Sequence, residues 1–440
     1  MWPFRVIPMR SAICLQKLKQ NTSSAYFTTF IGKCRINRSM QHSSQSHKLL
    51  IQNKLLNYHY ISLTQPHCCM YTSPVHFNTT ETADNSRDSS MNVQTLLETW
   101  FYEVCPRGSL SATMPFKTYI KSLKQPGLNK VIIQLHYDID SNSDHKVPES
   151  IQLSQISNMY ELKVSFDEDK ANMNVSCEVT NGVVLPVVCI IQVPLQFDLN
   201  LKLLEEKDVH VEGMESNKIV VEAEKGNCCF NNVKCMSLSA MSRSGNITCG
   251  STLHGNSYFQ TRKSGSISTE KLQGSNIICE TEMGSVSVKS LYADNATFRS
   301  DAGSINLGHC HGQLYLLAGQ SDVNIGSLDG DLDIGLQSGN VSVHLSRHQK
   351  ANIEVGTGDI SVSFPDTAST DLNLDCNAVT VDNRIDVHFT DSELPHHKEG
   401  YIGIKGMSLV NVRTLSGTVN LQSRDWIETT NLFMHKFKDL

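Results

Sequence analysis

A short motif recurs at nearly constant spacing through the middle of this 440-residue chain, and it constrains the fold more than any other feature. The motif is a small or polar residue, then Gly, then Asn, Ser or Asp, then Ile or Val. Starting from Gly226, successive copies are 19, 20, 19, 19, 18, 18 and 19 residues apart, with Ser321 replacing the glycine in one of them. This regularity predicts about eight stacked repeats. The copies begin at Ser244, Ser264, Met283, Ala302, Gln320, Ser338 and Thr357.

Each copy of the motif is followed by alternating apolar and polar residues, as in Val286-Ser287-Val288. This alternation is the pattern of a half-buried strand. A second mark, Leu-x-Gly, falls midway in many repeats, for example at Leu253-His254-Gly255, and predicts a second turn. Two short strands and two turns cannot bury an apolar face alone, so successive repeats must stack. The sequence therefore predicts an all-β, β-solenoid-like fold.

Two further expectations concern individual positions of the repeat. Glycine is expected at the turn because a positive φ costs a residue with a Cβ on the order of 1 kcal/mol, so Ser321 should adopt a different turn. The position after the Ile or Val of the motif is polar in every copy. We expect these side chains to be solvated, with hydrogen bonding along the stack as the alternative. They are Thr248, Ser268, Ser287, Asn306, Asn324, Ser342 and Ser361.

The regions on either side of the repeats also have strand patterns. We divide the folded part into a β-rich N-terminal module (97–205), the stacked repeats (206–365) and a β-rich C-terminal region (366–440). The last of these contains one more copy of the motif, at Ser416-Gly417-Thr418-Val419. Because the ends of a repeat array expose unpaired strands, both flanks are expected to act as caps.

The first 80 residues contain nine Lys or Arg and no Asp or Glu. A basic, Ser-rich segment without acids is typical of a mitochondrial transit peptide, so we predict a mitochondrial protein. The alternative is a disordered basic tail on a cytoplasmic protein, either without a targeting role or bound electrostatically to nucleic acid or anionic lipid. Residues 81–96 become acidic and small, as expected of a linker.

Composition argues against several classes of protein. No apolar run reaches the roughly 18 residues of a membrane-spanning helix. The chain beyond residue 80 carries 29 basic and 44 acidic residues, without a basic stripe, which disfavours nucleic-acid binding. Fourteen cysteines are scattered through a long chain, so we expect them to be mostly reduced.

The string of "small, Gly, Asn or Asp, Ile or Val" motifs after a strand-rich opening resembles a bacterial family of unknown function called "putative adhesin". The opening in this chain runs from Gly108-Ser109-Leu110 to the strand pattern around 129–135. The order of basic leader, opening module and repeats also resembles an animal family, "family with sequence similarity 185". These resemblances imply a β-solenoid-like fold and bring no catalytic residues with them.

Two clusters could carry chemistry. Asp329, Asp331 and Asp333 alternate along a predicted strand and could attract a cation through oxygen ligands, although an Asp331 contact to Lys350 on the next repeat is the simpler account. His309, Cys310 and His311 offer soft ligands, but a closed zinc site needs four, so we favour a plain turn.

Other candidates are weaker. In the position after the turn glycine, the only acids are Asp322 and Asp359, separated by a repeat, so no acid pair for glycoside cleavage forms there. Cys249 falls on the inward side and is predicted to pack in the core. The adjacent His396 and His397 point opposite ways in an extended chain and receive no role.

We therefore predict no catalytic, cofactor-binding or metal residues, and no cofactor. The predicted function is a non-enzymatic β-repeat scaffold or binding protein of mitochondria, with an unidentified protein partner. The alternatives are a carbohydrate-active β-solenoid enzyme, which needs clustered acids, and a cell-surface adhesin, which needs a secreted chain. The sequence leaves the oligomeric state open.

Overall fold

The computed structural model describes residues 95–123, 129–138, 156–180, 186–390 and 396–424, and these form 27 strands of one sheet system. The first nine are β1 (Thr95–Glu103), β2 (Ser109–Met114), β3 (Lys117–Ser122), β4 (Lys130–Tyr137), β5 (Tyr160–Phe166), β6 (Asn172–Val179), β7 (Val187–Val193), β8 (Asp198–Leu203) and β9 (Val209–Glu212).

The repeats supply twelve strands, and the C-terminal region supplies six. The twelve are β10 (Glu215–Ala223), β11 (Cys228–Asn231), β12 (Val233–Ser242), β13 (Ile247–Thr261), β14 (Ile267–Thr281), β15 (Val286–Ala302), β16 (Ile305–Gln320), β17 (Val323–Asp329), β18 (Leu332–Ser338), β19 (Val341–Arg347), β20 (Lys350–Thr357) and β21 (Ile360–Phe364). The six are β22 (Thr370–Asp375), β23 (Ala378–Val381), β24 (Val387–Thr390), β25 (His397–Ile402), β26 (Leu409–Ser416) and β27 (Thr418–Ser423).

Successive repeats pair in parallel, residue for residue, so that each repeat is one rung of a stack. Ile267, for example, pairs with Ile247 on one side and Val286 on the other, and all three are fully buried. Burying a side chain of this size contributes roughly 1.5–3 kcal/mol, which repeats at every rung. The predicted all-β, β-solenoid-like stack of repeats is confirmed.

In β13 to β16 the midway mark is a corner within a strand, so the expectation of a second turn is wrong for these rungs, whereas at Leu328-Asp329-Gly330 a turn does separate β17 from β18. Strands β13 to β16 run through it without a break and are 15–17 residues long. In β13, the register shifts between Cys249 and Thr252, and again between His254 and Ser257. These two irregularities divide the strand into three segments, because an extended chain must bend twice to keep its apolar residues inward.

Each repeat therefore presents three outward surfaces, which we define by the three segments of β13 and their equivalents in other rungs. Surface 1 corresponds to 247–249, surface 2 to 252–254 and surface 3 to 257–261. Ile247, Leu253 and Phe259 point into one continuous core, as does Cys249. Side chains that alternate with the buried ones, such as those of Thr248, His254 and Tyr258, face outward.

The turn glycines are required mainly by the close approach of stacked turns. A Cβ on Gly284 would lie 1.8 Å from the carbonyl oxygen of Gly265, although Gly284 itself does not have a positive φ. Gly303 combines the same crowding, 2.4 Å from the Gly284 oxygen, with a φ of +136°. The positive φ expected at every turn is thus correct only for some of them. Ser321, as expected, occupies its turn without a positive φ.

Side chains do form a hydrogen-bonded ladder along the stack, but two positions earlier than the outward polar column of surface 1. The residue after the turn glycine accepts a bond from the backbone amide of its equivalent one rung later. Asn227 Oδ1 accepts from Asn246 at 2.9 Å, and Asn246 Oδ1 accepts from Ser266 at 2.8 Å. The ladder satisfies amides that the turns leave without a strand partner.

The flanks cap both ends, and at each end a rung distant in sequence is inserted into the stack. Strands β2 and β3 lie between β6–β7 and β8–β9. In the same way, β26 and β27 lie between β20–β21 and β22–β23. The motif at Gly417 is therefore an internal rung, and antiparallel strands close the ends beyond the inserted rungs.

Candidate binding surfaces

The three aspartates do not form one acidic face. Strand β17 ends at Asp329 and β18 begins at Leu332, because Gly330 between them adopts a φ of +149°. Asp329 contacts Arg347 on surface 2, while Asp333 is exposed on surface 3. Their expected alternation along one strand is wrong because the corner of the repeat falls between them.

Asp331 lies beside Lys350, as the repeat register predicts, but it contacts the backbone. Its Oδ1 accepts hydrogen bonds from the amides of Gln349 at 2.9 Å and Lys350 at 3.0 Å. This carboxylate therefore anchors the turn of the next rung. Among the residues that the structure describes, no three His, Cys, Asp or Glu side chains are grouped so that they could hold a metal ion.

The His309-Cys310-His311 segment is divided between the core and surface 2. Cys310 is buried, and burial raises the pKa of its thiol. His309 and His311 project outward on either side of it. His311 stacks on Tyr292 of the preceding rung, with ring centroids 4.8 Å apart, and its Nδ1 lies 3.4 Å from Asp329 Oδ2 of the following rung.

His311 belongs to a row of five side chains that crosses surface 2 from rung to rung, which we call the Tyr292 row. Lys271 Nζ lies 5.0 Å from the centroid of the Tyr292 ring. At the other end, the Arg347 guanidinium contacts the Asp329 carboxylate. The row therefore alternates cation, aromatic ring, imidazole, carboxylate and cation. Its members are Lys271, Tyr292, His311, Asp329 and Arg347.

Sequence reasoning had not linked the members of this row, although the signal was present. Tyr292, His311, Asp329 and Arg347 are separated by 19, 18 and 18 residues, which is the repeat period. Register pairing places each beside the next. Stacking of the rungs at about 4.8 Å brings side chains at the same position of successive repeats into contact.

A shallow groove of about 390 Å³ lies at the N-terminal rungs of surface 3. Ser, Thr and Asn side chains of β2, β5, β6 and β8 line it, together with Lys163 and Lys202. Lys163 is paired with Glu178 at 2.9 Å and Glu161 at 3.5 Å, so its charge is largely balanced. The groove presents hydroxyl and amide groups and has little apolar lining.

Two other histidines have defined surroundings. His397, to which the sequence gave no role, lies on β25 between Asp375 Oδ1 at 2.6 Å and Glu399 Oε1 at 3.2 Å. These hydrogen bonds raise the pKa of its imidazole. His344 is buried in the core and bonds Ser363 Oγ at 3.1 Å. Burial, with a contribution from Arg424, lowers the pKa of His344 to about 4.

The ten cysteines among the described residues are free thiols, and seven of them are buried to a relative exposure of 5% or less. Six of the seven lie on the core side of β6, β7, β11, β13, β14 and β16, and Cys376 directly follows β22. Cys249 packs in the core, and burial raises the pKa of its thiol well above the usual value. Burial likewise raises the pKa of Cys228 to about 12. These thiols are protonated at neutral pH and act as small apolar side chains.

Part of the chain is similar to a described family. Residues 256–422 match the family Toastrack DUF4097. The match begins near the end of β13 and reaches the inserted rung of β27, so it spans the repeats of the Tyr292 row and the C-terminal region. It covers well under half of the chain and excludes the N-terminal module.

Solved structures with some similarity come from bacteria. One from Bacteroides fragilis, described as "a putative adhesin", is 11% identical, with 74% of this chain and 96% of that chain covered and a TM-score of 0.25. Another "putative adhesin", from Parabacteroides distasonis, is 10% identical over the same shares, with a TM-score of 0.32. A "putative cell adhesion protein" from Clostridium sporogenes is 11% identical, covering 74% and 99%, with a TM-score of 0.17. Similarity at these values supports no inference about this chain.

Within the described ranges, no helix is long and apolar enough to cross a membrane.

Proposed function

We propose that this chain is a non-enzymatic β-repeat binding protein of mitochondria, and that a protein partner contacts it at the Tyr292 row. The observation that carries this proposal is the row itself. Tyr292, His311 and Arg347 are 39%, 46% and 80% exposed, yet each is held by a neighbour on the next rung. Tyr and Arg dominate the energetic centres of protein interfaces. Side chains ordered before binding lose less entropy on association.

The contacts of Asp329 and Asp331 favour a binding protein over the alternative of a carbohydrate-active enzyme. Glycoside cleavage needs one carboxyl group to donate a proton and a second carboxylate to act beside it. Asp329 is engaged by Arg347 and His311, and Asp331 is engaged by two backbone amides. Both carboxylates are therefore engaged in contacts within the stack.

The mitochondrial part of the proposal rests on the basic, acid-free composition of residues 1–80. The finer resemblance to the animal family "family with sequence similarity 185" rests on the order of basic leader, opening module and repeats. Cell fractionation with protease protection tests it on the full-length chain and on a chain lacking residues 1–80. We expect the full-length chain to be protected inside mitochondria and shortened, while the truncated chain stays in the cytosol. Identical behaviour of the two would overturn the localisation, and exposure at the cell surface would favour the adhesin alternative.

Site-specific photo-crosslinking tests the binding surface. A photoreactive residue replaces Gln273, which is exposed and precedes Tyr292 in the same column of surface 2. We expect a discrete adduct that disappears when Tyr292→Ala and Arg347→Ala are combined. The same photoreactive residue at Ser361, on surface 1, serves as the matched control and should give no such adduct. An adduct that survives the double substitution would contradict the proposal.

A further inference from the structure

The core is less enclosed at its C-terminal end than in the rungs between the caps. Ile360 and Val362, which point inward from β21, are fully buried. Two rungs further along the same columns, Val379 and Val381 of β23 are only half-buried, although they pack against the core. The apolar interior of the stack therefore reaches solvent at this end.

Strands β24 and β25 extend the stack beyond β23 on one side only. β25 pairs with β22 on the side of surface 3, and β24 pairs with β25, whereas the described strands give β23 a partner, β27, on one edge alone. Val387 of β24 lies opposite the buried Ile402 of β25, so Val387 and Phe389 continue the face of the core. This arrangement leaves an open apolar corner, which we call the end ledge. Its members are Val379, Val381, Ile385, Val387 and Phe389.

A cavity of about 250 Å³ adjoins the end ledge. Its apolar lining includes Phe364, Ile385 and Ile402. The described part of the chain ends beside it, because Ser423 lines the cavity and the amide of Arg424 donates to the Phe364 carbonyl oxygen at 3.0 Å. The segment after Arg424 therefore starts at the mouth of this cavity.

The sequence that follows, which lies outside the described ranges, has the pattern of an amphipathic helix. Asp425 precedes Glu428 by three residues, which is the spacing of an N-terminal capping box. Apolar residues then recur at i, i+1, i+7, i+8 and i+11, which places them on one face of a helix. They are Trp426, Ile427, Phe433, Met434 and Phe437. Glu428, Leu432 and His435 fall on the opposite face.

We propose that residues 425–437 form a helix that packs its apolar face on the end ledge of the same chain, with Trp426 in the cavity. Trp426 follows Arg424 by two residues, which span at most about 7 Å, so its side chain reaches the cavity. The twelve residues from Trp426 to Phe437 make a helix about 18 Å long. This length crosses the end of a stack in which facing sheets lie about 10 Å apart.

The covalent connection favours this segment over a separate molecule as the occupant of the end ledge. A segment joined to the ledge by a short linker has an effective concentration on the order of millimolar, so it covers the ledge without a second binding event. Burial of the ledge stabilises the fold by about 25 cal/mol for each Å² of apolar surface. The helix would also shield the open edge of β23 from pairing with a strand of another molecule.

Hydrogen exchange on the full-length chain tests whether the segment is a packed helix. We expect the amides of residues 429–437 to exchange at least about tenfold more slowly than in a free peptide of residues 425–437. Phe433→Asp places a charge on the apolar face and should abolish this protection. Leu432→Asp, one residue away on the opposite face, is the matched control and should retain it. Exchange in the wild type that is as fast as in the free peptide would overturn the proposal.

Photo-crosslinking tests where the segment lies and which chain supplies it. A photoreactive residue replaces Phe389, which is 41% exposed on the end ledge, and mass spectrometry locates the adduct. We expect adducts within residues 425–437 of the same chain. The same photoreactive residue at Phe101, which is 65% exposed on β1 at the other end of the stack, is the control and should give none there. In a mixture of isotope-labelled and unlabelled chains, adducts between the two kinds of chain would overturn the proposal, as would the absence of adducts in 425–437.

Dye binding reports whether the helix covers the end ledge. The fluorescence of 8-anilinonaphthalene-1-sulfonate should rise severalfold in Phe433→Asp, because the variant exposes apolar surface, and should stay at the wild-type level in Leu432→Asp. An unchanged signal in both variants would show that the ledge is not covered by this helix. Thermal melts identify any variant that fails to fold. The end ledge is distinct from the Tyr292 row, so failure of either proposal leaves the other intact.

Discussion

Asp359 Oδ1 accepts hydrogen bonds from both the backbone amide and the hydroxyl of Thr418, each at 2.8 Å, although the two residues are 59 positions apart in sequence. Thr418 begins β27, the inserted rung, and Asp359 follows the turn glycine of the rung below. The side-chain ladder that joins consecutive repeats therefore continues unchanged into a rung supplied from near the end of the chain.

Asp359→Ala should loosen the inserted rung. It removes the acceptor for the Thr418 amide and hydroxyl, so hydrogen exchange in β26 and β27 should become faster than in the wild type. Asp322→Ala is the matched control, because Asp322 accepts the Asn340 amide at 2.8 Å between consecutive rungs. Its effect should be centred on β19. Equal protection of β27 in the wild type and the Asp359 variant would show that the ladder does not fasten this rung.

The same contact predicts a pH dependence. The hydrogen bonds from Thr418 lower the pKa of Asp359 below its usual value. A carboxyl group whose pKa is lower in the folded state stabilises the fold above its unfolded pKa, and this contribution is lost as the pH falls through the folded pKa. Protection of β27 should thus decline as the pH falls below the usual Asp pKa of 3.8, and it should decline less over that range in Asp359→Ala.

Substitution of the turn glycines should separate crowding from backbone strain. Gly303→Val meets both the positive φ and the Gly284 carbonyl oxygen, so it should lower the free energy of unfolding by at least about 2 kcal/mol. Ser304→Thr, one residue later, should change it by less than about 0.5 kcal/mol. Gly284→Ala has only the crowding, 1.8 Å from the Gly265 oxygen, and should also destabilise the protein. A neutral Gly284→Ala would show that the turns can move apart.

His344 should make the protein sensitive to acid. Its pKa is about 4 in the folded state, against about 6.5 for an unfolded histidine, so the unfolded chain binds its proton first as the pH falls. The stability that depends on the neutral ring is complete above about pH 6.5 and decreases toward pH 4, by up to about 3 kcal/mol. In His344→Gln, which keeps a polar partner for Ser363, urea denaturation between pH 7 and 4 should show a smaller loss. His397→Gln, on the surface, serves as the control because its folded pKa is shifted in the opposite direction.

Alkylation should distinguish the cysteines by burial. Cys105 is half-buried and donates to the Asp169 carbonyl at 3.1 Å, whereas Cys279 and Cys310 are enclosed in the core with a raised pKa. Iodoacetamide requires the thiolate and access to it, so Cys105 should react at least about 100-fold faster than either core thiol. Timed labelling with peptide mass spectrometry measures the rates. Rapid labelling of Cys310 would indicate that the stack opens locally at β16.

The sequence by itself determined the repeat, its inward residues and the turn at the glycine motif. Ile247, Ile267 and Val286 recur at the repeat period and alternate with polar residues, so their burial follows from the pattern. The repeat period can be detected in the sequence because equivalent residues of successive rungs lie in the same environment. The position after the turn glycine was also recognised, but its role as a ladder needed the backbone amide of the next rung to be placed.

Only the tertiary structure decided where the chain departs from a simple stack of consecutive repeats. The corner at Gly330 separates Asp329 from Asp333, and the register brings Tyr292, His311 and Arg347 into one row. The tertiary structure also places Thr418 beside Asp359, at a position that any rung with the same pattern could occupy. A repeating sequence specifies which residues a rung needs beside it. Which rung occupies that place depends on contacts between distant segments, and these exist only in the folded chain.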